Sequence, residues 1–216
     1  MPRTIVFLGP SLDLVSAEKI LAAEYRPPAK RGDILRAAGD GADIIVLIDG
    51  VFHQDSAVAH REILAAIKKK ITVVGASSMG ALRAAEMHTL GMTGIGKIFE
   101  MYRDGRLISD DEVALVFDPS SGYALSEPLI NIRCTLKKAE AAGVITPADR
   151  EVLLAAACAL FYPQRTYEQM AAAAAGTLDP VTRERFLTFA AARPADQKRE
   201  DAVAALEYVR TLRNPG

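Results

Sequence analysis

A serine does covalent chemistry only where one group takes its proton and others hold the oxyanion that follows. One stretch of this chain has residue types suited to both tasks: Ile71-Thr72-Val73-Val74-Gly75-Ala76-Ser77-Ser78-Met79-Gly80, followed by Ala81-Leu82-Arg83-Ala84-Ala85-Glu86. A β-branched apolar run enters a turn of small residues and leaves directly into helix formers, which puts Ser78 at a strand-to-helix elbow. Ala76-Ser77-Ser78-Met79-Gly80 is similar to the G-x-S-x-G nucleophile elbow, with alanine for the first glycine. The helix start aims free N–H groups, beginning with that of Met79, at a developing oxyanion. The same residues also suit two blander uses. Ser77 and Ser78 can cap the helix that begins at Met79, and the helix start can hold an anion or phosphate without covalent chemistry.

A serine hydroxyl needs a base at neutral pH. His53 follows a second apolar run in Ile48-Asp49-Gly50-Val51-Phe52-His53, His60 lies one or two helical turns later, and His88 falls at a helix end. A lysine out of water can serve instead, as in Ser-Lys pairs. Lys30 stands out because the prolines of Arg26-Pro27-Pro28-Ala29-Lys30-Arg31 stiffen the segment that presents it, although a solvated surface lysine reads the same way. Gly9-Pro10-Ser11 follows the first apolar run, and its backbone N–H groups are candidates for a second oxyanion donor, or simply an ordinary turn. Asp49 is placed to orient His53 or Lys30, though Asp before Gly is also a common turn pair. Glu127, Asn131 and Arg133 form another polar set in Leu125-Ser126-Glu127-Pro128-Leu129-Ile130-Asn131-Ile132-Arg133, with Ser126 as a helix cap and Glu127 and Asn131 on one face. Lys68-Lys69-Lys70 reads as a solvated helix end.

The elements that must position these residues change character along the chain. Strands are expected at Thr4 to Leu8, Ile44 to Ile48 and Ile71 to Gly75, with a weaker one at Val113 to Phe117. Near-continuous apolar runs of this kind suit strands covered on both faces. Helices are expected at Ser16 to Glu24, with Ser16 as cap, and at Gly32 to Ala38, Ser56 to Lys69 and Met79 to His88. Gly91 to Gly122 reads as an irregular connector with one short helix near Ile98 to Tyr102. After Leu125 strand signals stop, and helices fit Ser126 to Ala142, Thr146 to Tyr162, Tyr167 to Ala175, Pro180 to Arg193 and Asp196 to Leu212, separated by breaks at Gly143, Pro163, Gly176 with Pro180, and Pro194. The expected architecture is α/β: an N-terminal, mostly parallel Rossmann-like sheet flanked by helices, followed by a C-terminal all-helical part. The division falls into an α/β core over 1–122 and a helical region over 123–216 packed on or beside it. In a parallel sheet, three strand ends deliver polar residues to one edge, where ligands bind in open α/β folds.

Composition narrows the function classes. Of 216 residues half are apolar, and 26 Lys plus Arg against 27 Asp plus Glu give a net charge of -1. That balance disfavours a nucleic-acid partner. No segment approaches the roughly 20 apolar residues that cross a bilayer, and the start lacks a signal-peptide pattern, so a cytoplasmic protein without membrane association is expected. Cys134 and Cys158 lack metal-ligand spacing and read as reduced core residues, so no metal is expected. A nucleotide-binding reading fails because no G-x-G-x-x-G follows the first strand.

Six strings occur in order: Phe7-Leu8-Gly9-Pro10-Ser11-Leu12, Pro27-Pro28-Ala29-Lys30-Arg31-Gly32-Asp33, Ile48 to His53, Gly75 to Glu86, Ile98-Phe99-Glu100-Met101-Tyr102-Arg103-Asp104-Gly105, and Leu125 to Arg133. Together they resemble the TfuA family over roughly the first 135 residues. The resemblance implies a partner of YcaO enzymes in peptide backbone thioamidation, including modification of methyl-coenzyme M reductase and ribosomal peptide (RiPP) biosynthesis. There YcaO activates the amide with ATP, while TfuA-like proteins help supply sulfur by hydrolysing a thiocarboxylated, ThiS-like carrier protein and strengthen substrate engagement. It also implies a hydrolase-like Ser-Lys pair, for which Ser78 and Lys30 are the matching residues. Met79, Ser11, Ser77, Asp49 and His53 would then support the oxyanion or the pair, while Arg31, Arg83, Glu127, Asn131 and Arg133 would bind substrate. Neither a cofactor nor a metal is implied. A groove between the sheet edge and the 91–122 connector is expected to admit the carrier tail. The competing class is a non-catalytic docking partner of YcaO in which Ser78 only caps a helix.

Overall fold

The structure is a computed structural model that describes residues 2–52, 56–118 and 122–213. Among them the strands β1 (Thr4–Phe7), β2 (Glu24–Arg26), β3 (Ile44–Leu47), β4 (Thr72–Ala76) and β5 (Thr93–Ile95) form one sheet in the order β2-β1-β3-β4-β5, with every pairing parallel. The chain winds from β1 outward to β2, then returns to the other side of β1 for β3. The winding therefore reverses between β1 and β3, where the two loops that follow diverge and leave a crevice at the carboxyl edge.

β1, β3 and β4 form because their apolar runs are covered from both sides. Val6, Val46 and Val74 pack with Ala17 of α1 (Leu14–Ile20) and with Ala202, Leu206 and Val209 of α10 (Gln197–Arg213). On the opposite face, α4 (Met79–Met87) is drawn against the sheet until only glycine fits. A Cβ on Gly80 would lie 1.7 Å from the Leu47 carbonyl oxygen, and one on Gly75 would lie 2.2 Å from that of Gly80. The remaining helices of this part are α2 (Asp33–Gly39), α3 (His60–Lys68) and α5 (Lys97–Arg103).

The chain divides into two compact units: 1–110 with 198–216, and 111–197. The sequence division at 122/123 thus differs in two ways, since the boundary comes earlier and the last helix belongs with the sheet. The second unit holds α6 (Leu129–Ala141), α7 (Pro147–Ala159), α8 (Tyr167–Ala173) and α9 (Pro180–Ala192) around Leu136, Leu153, Met170 and Phe186. Thr146 and Asp149 form a reciprocal capping box at α7, and Asp179 caps α9.

Several local expectations are corrected. Val113 to Phe117 is not a strand; only Phe117 makes an isolated antiparallel bridge, to Ala124. β2 and β5 were not expected as strands. β2 is a polar edge, and in β5 the absent side chain of Gly94 makes room for the Phe99 ring, whose Cδ2 would lie 2.2 Å from a Cβ there. Asp13, not Ser16, caps α1 by accepting from the Ser16 N–H. Cys134 is half-buried and Cys158 exposed, because the buried positions of α7 are Leu153 and Ala157 and the next residue points about 100° away. No described helix is long and apolar enough to cross a membrane.

The contact between α4 and β3 predicts that Gly80→Ala lowers stability by about 3 kcal/mol, since the backbone must part to admit a methyl group. Gly39→Ala, with nothing within 4 Å and no positive φ, is expected to be neutral or mildly stabilising. Urea unfolding of both variants checks this; equal midpoints would contradict the close approach.

Candidate active site

β4 ends at Ala76 and α4 begins at Met79, so Ser77 and Ser78 alone make the turn. Ser77 takes φ +66, a left-handed conformation that costs a residue with a Cβ, and Ser78 at φ -104, ψ -122 is neither helical nor extended. The left-handed residue of the elbow is therefore one position earlier than the candidate nucleophile. Two neighbours hold the turn in place. Ser78 N–H donates to Ala76 O at 2.9 Å, and Gly80 N–H donates to Ile48 O at 3.2 Å.

The two serines have different surroundings. Ser77 is fully buried, and its Oγ donates to Ser11 Oγ at 3.0 Å. Ser11 Oγ in turn donates to Asp49 Oδ1 at 2.7 Å, while Asp49 Oδ2 accepts the N–H groups of Gly9 at 2.8 Å and Ser11 at 3.1 Å. This buried carboxylate joins the loops after β1, β3 and β4 across the crevice. Ser78, 2% exposed, takes no part in the network. Its side chain does not cap α4, and it makes no hydrogen bond among the described residues. The expected oxyanion donor, Met79 N–H, also lacks a partner among the described residues, whereas Ala81 N–H is closed onto Ser78 O at 3.0 Å. The loop amides expected as a second donor are engaged by Asp49 instead, so Ser11 supports the turn and does not face an oxyanion. Asp49, with both oxygens bonded to that loop, is oriented toward Ser11 rather than toward a lysine.

Lys30 is exposed, and its backbone N–H donates to Asp33 Oδ2 at 2.7 Å. The segment before it lies close to the elbow. Ala29 bridges Gly50, with Ala29 N–H to Asp49 O at 2.9 Å, and a Cβ on Gly50 would meet Met79 Cγ at 2.9 Å. His53 lies outside the described residues. Beside Met79 opens a cavity of about 650 Å³, lined also by Arg31, Arg83, His60 and Glu86. Arg83 is held by Val58 O (2.8 Å) and by Glu86 (2.6 Å), and Glu86 also meets His60 Nε2 at 2.7 Å. Ile108, Ser109 and Asp110 of the connector also line it.

A family model described as TfuA-like protein matches residues 49–166. The chain belongs to the TfuA-like family. No curated protein matches the chain. The matched span begins at Asp49 and contains the elbow, so the TfuA-like region includes Ser77, Ser78 and Met79, while Ser11 and Lys30 lie ahead of it.

In the second unit of this TfuA-like chain, Glu127, Asn131 and Arg133 have defined places. α6 starts at Leu129, so Glu127 precedes the helix and shares no helical face with Asn131; its N–H donates to Arg165 O at 2.7 Å. Ser126 does not cap α6 but accepts the Val116 N–H at 2.9 Å. Asn131 donates to Asp196 and accepts the Gln197 N–H. Arg133 makes a two-pronged pair with Glu112 at 2.9 and 2.8 Å, which raises its pKa further. The sequence reading missed Glu62, a buried carboxylate that accepts the Gly32 N–H at 2.7 Å and the Ala59 N–H at 3.1 Å, pinning the loop that carries Arg31. Its position three residues after Ala59, at the start of a helix, was the available signal.

Asp49→Ala is expected to cost about 3 kcal/mol in denaturant unfolding, because two amides and a hydroxyl lose their acceptor in a buried site. Ser11→Ala, which leaves the amides bonded, is expected to cost about 1 kcal/mol. A reversed order would show that the carboxylate is not the tie.

Proposed function

We propose that this TfuA-like protein is a partner of a YcaO enzyme in peptide or protein backbone thioamidation, and that it hydrolyses a thiocarboxylated, ThiS-like carrier protein to release sulfide. The observation that carries the reading is the Ser78 hydroxyl, uncommitted to capping, directly after the left-handed Ser77 and next to the N–H of Met79, which lacks a partner among the described residues. A serine that only capped its helix would spend its hydroxyl on the amides of the first turn.

The chemistry follows from these groups. Ser78 Oγ attacks the thiocarboxylate carbon, the C–S bond breaks, and the serine proton ends on the departing sulfide as HS⁻. The acyl-serine ester is then hydrolysed to a carboxylate, restoring the hydroxyl. Charge grows on the carbonyl oxygen during both steps, and an amide already aimed at that position needs no reorganisation to meet it. A carrier tail is anionic at its end, so Arg31 and Arg83, both lining the cavity beside Met79, suit its approach. Glu86, paired with Arg83, would have to yield as the tail enters.

Purified protein mixed with thiocarboxylated carrier should release sulfide, and Ser78→Ala should lower the rate about a thousandfold while leaving association with YcaO intact. Release by the variant at the native rate would remove Ser78 as nucleophile. No release by the native protein, together with improved peptide engagement by YcaO, would leave a docking role alone.

A further inference from the structure

We infer that Arg83 is a specificity-determining residue whose guanidinium holds the backbone of the carrier tail at the carbonyl two residues before the reacting end. The protein then acts on a thiocarboxylate borne by an extended peptide and discriminates against a small thiocarboxylic acid. The inference rests on the proposed hydrolase reading for what the tail carries, and on the shape and donors of the cavity for how the tail lies.

Four residues of α4 line the cavity: Met79, Leu82, Arg83 and Glu86. Spacings of three, four and seven residues put them on one helical face, so the cavity follows α4 outward from its first residue for about 10 Å. Val58, Ala59 and His60 line it from the start of α3, and Ile108, Ser109 and Asp110 from the connector. A trough bounded in this way suits an extended chain. Its volume of about 650 Å³ is that of a site for a drug-sized ligand and exceeds what one thiocarboxyl group fills. The end of the trough at Met79 is the end beside Ser78.

Arg83 is fixed in the wall of this trough, with its side chain 13% exposed. Nε donates to Val58 O at 2.8 Å and Nη1 to Glu86 Oε2 at 2.6 Å, which leaves Nη2 without a partner among the described residues. No side-chain nitrogen or oxygen that is sealed from solvent lacks a partner among those residues, so Nη2 reaches open space, and the space that Arg83 borders is the trough. Two bonds hold the planar group while the third nitrogen is offered to a ligand. Glu86 offsets the guanidinium charge, which suits Nη2 to a neutral carbonyl. Glu86 meets Arg83 and His60 Nε2 through the same oxygen, so in making way for the tail it draws toward α3 and stays paired with His60.

The distance along α4 sets which carbonyl is held. Arg83 lies five residues after Ser78, about 7 Å along the helix axis. An extended peptide advances about 3.3 Å per residue, so a tail with its reacting carbon at Ser78 brings the carbonyl two residues earlier to the level of Arg83. A thiocarboxylic acid of one residue ends short of it. The terminal charge draws the tail in, and Arg83 then reads whether a chain follows.

Binding tests the contact independently of hydrolysis. The probe is a fluorescent hexapeptide of glycine and alanine ending in a carboxylate, the product form of the tail, followed by anisotropy. Native protein should bind it, and Arg83→Met should weaken binding at least tenfold, the worth of one hydrogen bond from a charged donor. Lys69→Met, at the far end of α3, should bind as the native protein does. A hexapeptide with an E-alkene in place of the amide that carries the critical carbonyl should lose a similar factor with native protein and nothing further with Arg83→Met. That peptide decides the matter in the native protein if the variant does not fold, with thermal melts checking each protein. Equal binding of the amide and alkene peptides by native protein overturns the inference, as does absence of binding. In sulfide release, Arg83→Met should raise KM for the thiocarboxylated hexapeptide and leave kcat/KM for thiocarboxylated N-acetylglycine unchanged; an equal loss on both substrates would mark a structural role and overturn the inference. If binding depends on Arg83 and on the amide but native protein cleaves neither thiocarboxylate, the hydrolase reading falls and the Arg83 contact stands. If both are cleaved with equal kcat/KM and binding ignores Arg83, the contact falls and the hydrolase reading stands.

Discussion

The carboxylate of Asp49 sits where the sheet's winding reverses, and three loops are arranged around it. A buried anion in this position must be satisfied, and it is satisfied by two amides of the loop after β1 and the hydroxyl of Ser11. Through Ser11 it reaches Ser77, the left-handed residue that turns the chain from β4 into α4. The cost of that backbone conformation, on the order of 1–3 kcal/mol for such a residue, is offset by bonds that exist only when all three loops are in place. Strand order, loop conformation and the elbow are thus coupled through one side chain.

This coupling divides labour between adjacent serines. Ser77 spends its hydroxyl on holding the turn, while that of Ser78 has no partner among the described residues. Gly75 and Gly80 complete the arrangement by letting α4 approach β3 and β4 to backbone contact, so that the first amides of the helix are brought to the carboxyl edge. The same edge receives the cavity with Arg31 and Arg83 on one side of the sheet and the first turn of α10 on the other. A site assembled from several strand ends in this way inherits its precision from the sheet rather than from any one loop.

Much of this was legible in the residues. The runs at Ile5, Ile45 and Val73 are apolar on both faces and gave three strands, and the small-residue turn before Met79 gave the elbow. What escaped had physical causes. β5 carries a glycine whose purpose is to seat Phe99, a contact invisible along the chain. The role of Ser11 was misjudged because its amide has a competing acceptor 38 residues away in sequence, and only folding brings the two together. The last helix was assigned to the helical part by composition, yet its stripe of Ala202, Leu206 and Val209 is complementary to the sheet face, which periodicity alone does not reveal.

The central claim is that Ser78 becomes covalently acylated by the carrier. Mixing the protein with thiocarboxylated carrier, quenching in acid within a turnover and mapping the peptides by mass spectrometry tests it directly. The account predicts an ester joining the last residue of the carrier to Ser78 Oγ. An acyl group found on Ser77 or any other side chain, or sulfide released while Ser78 stays unmodified, would contradict it.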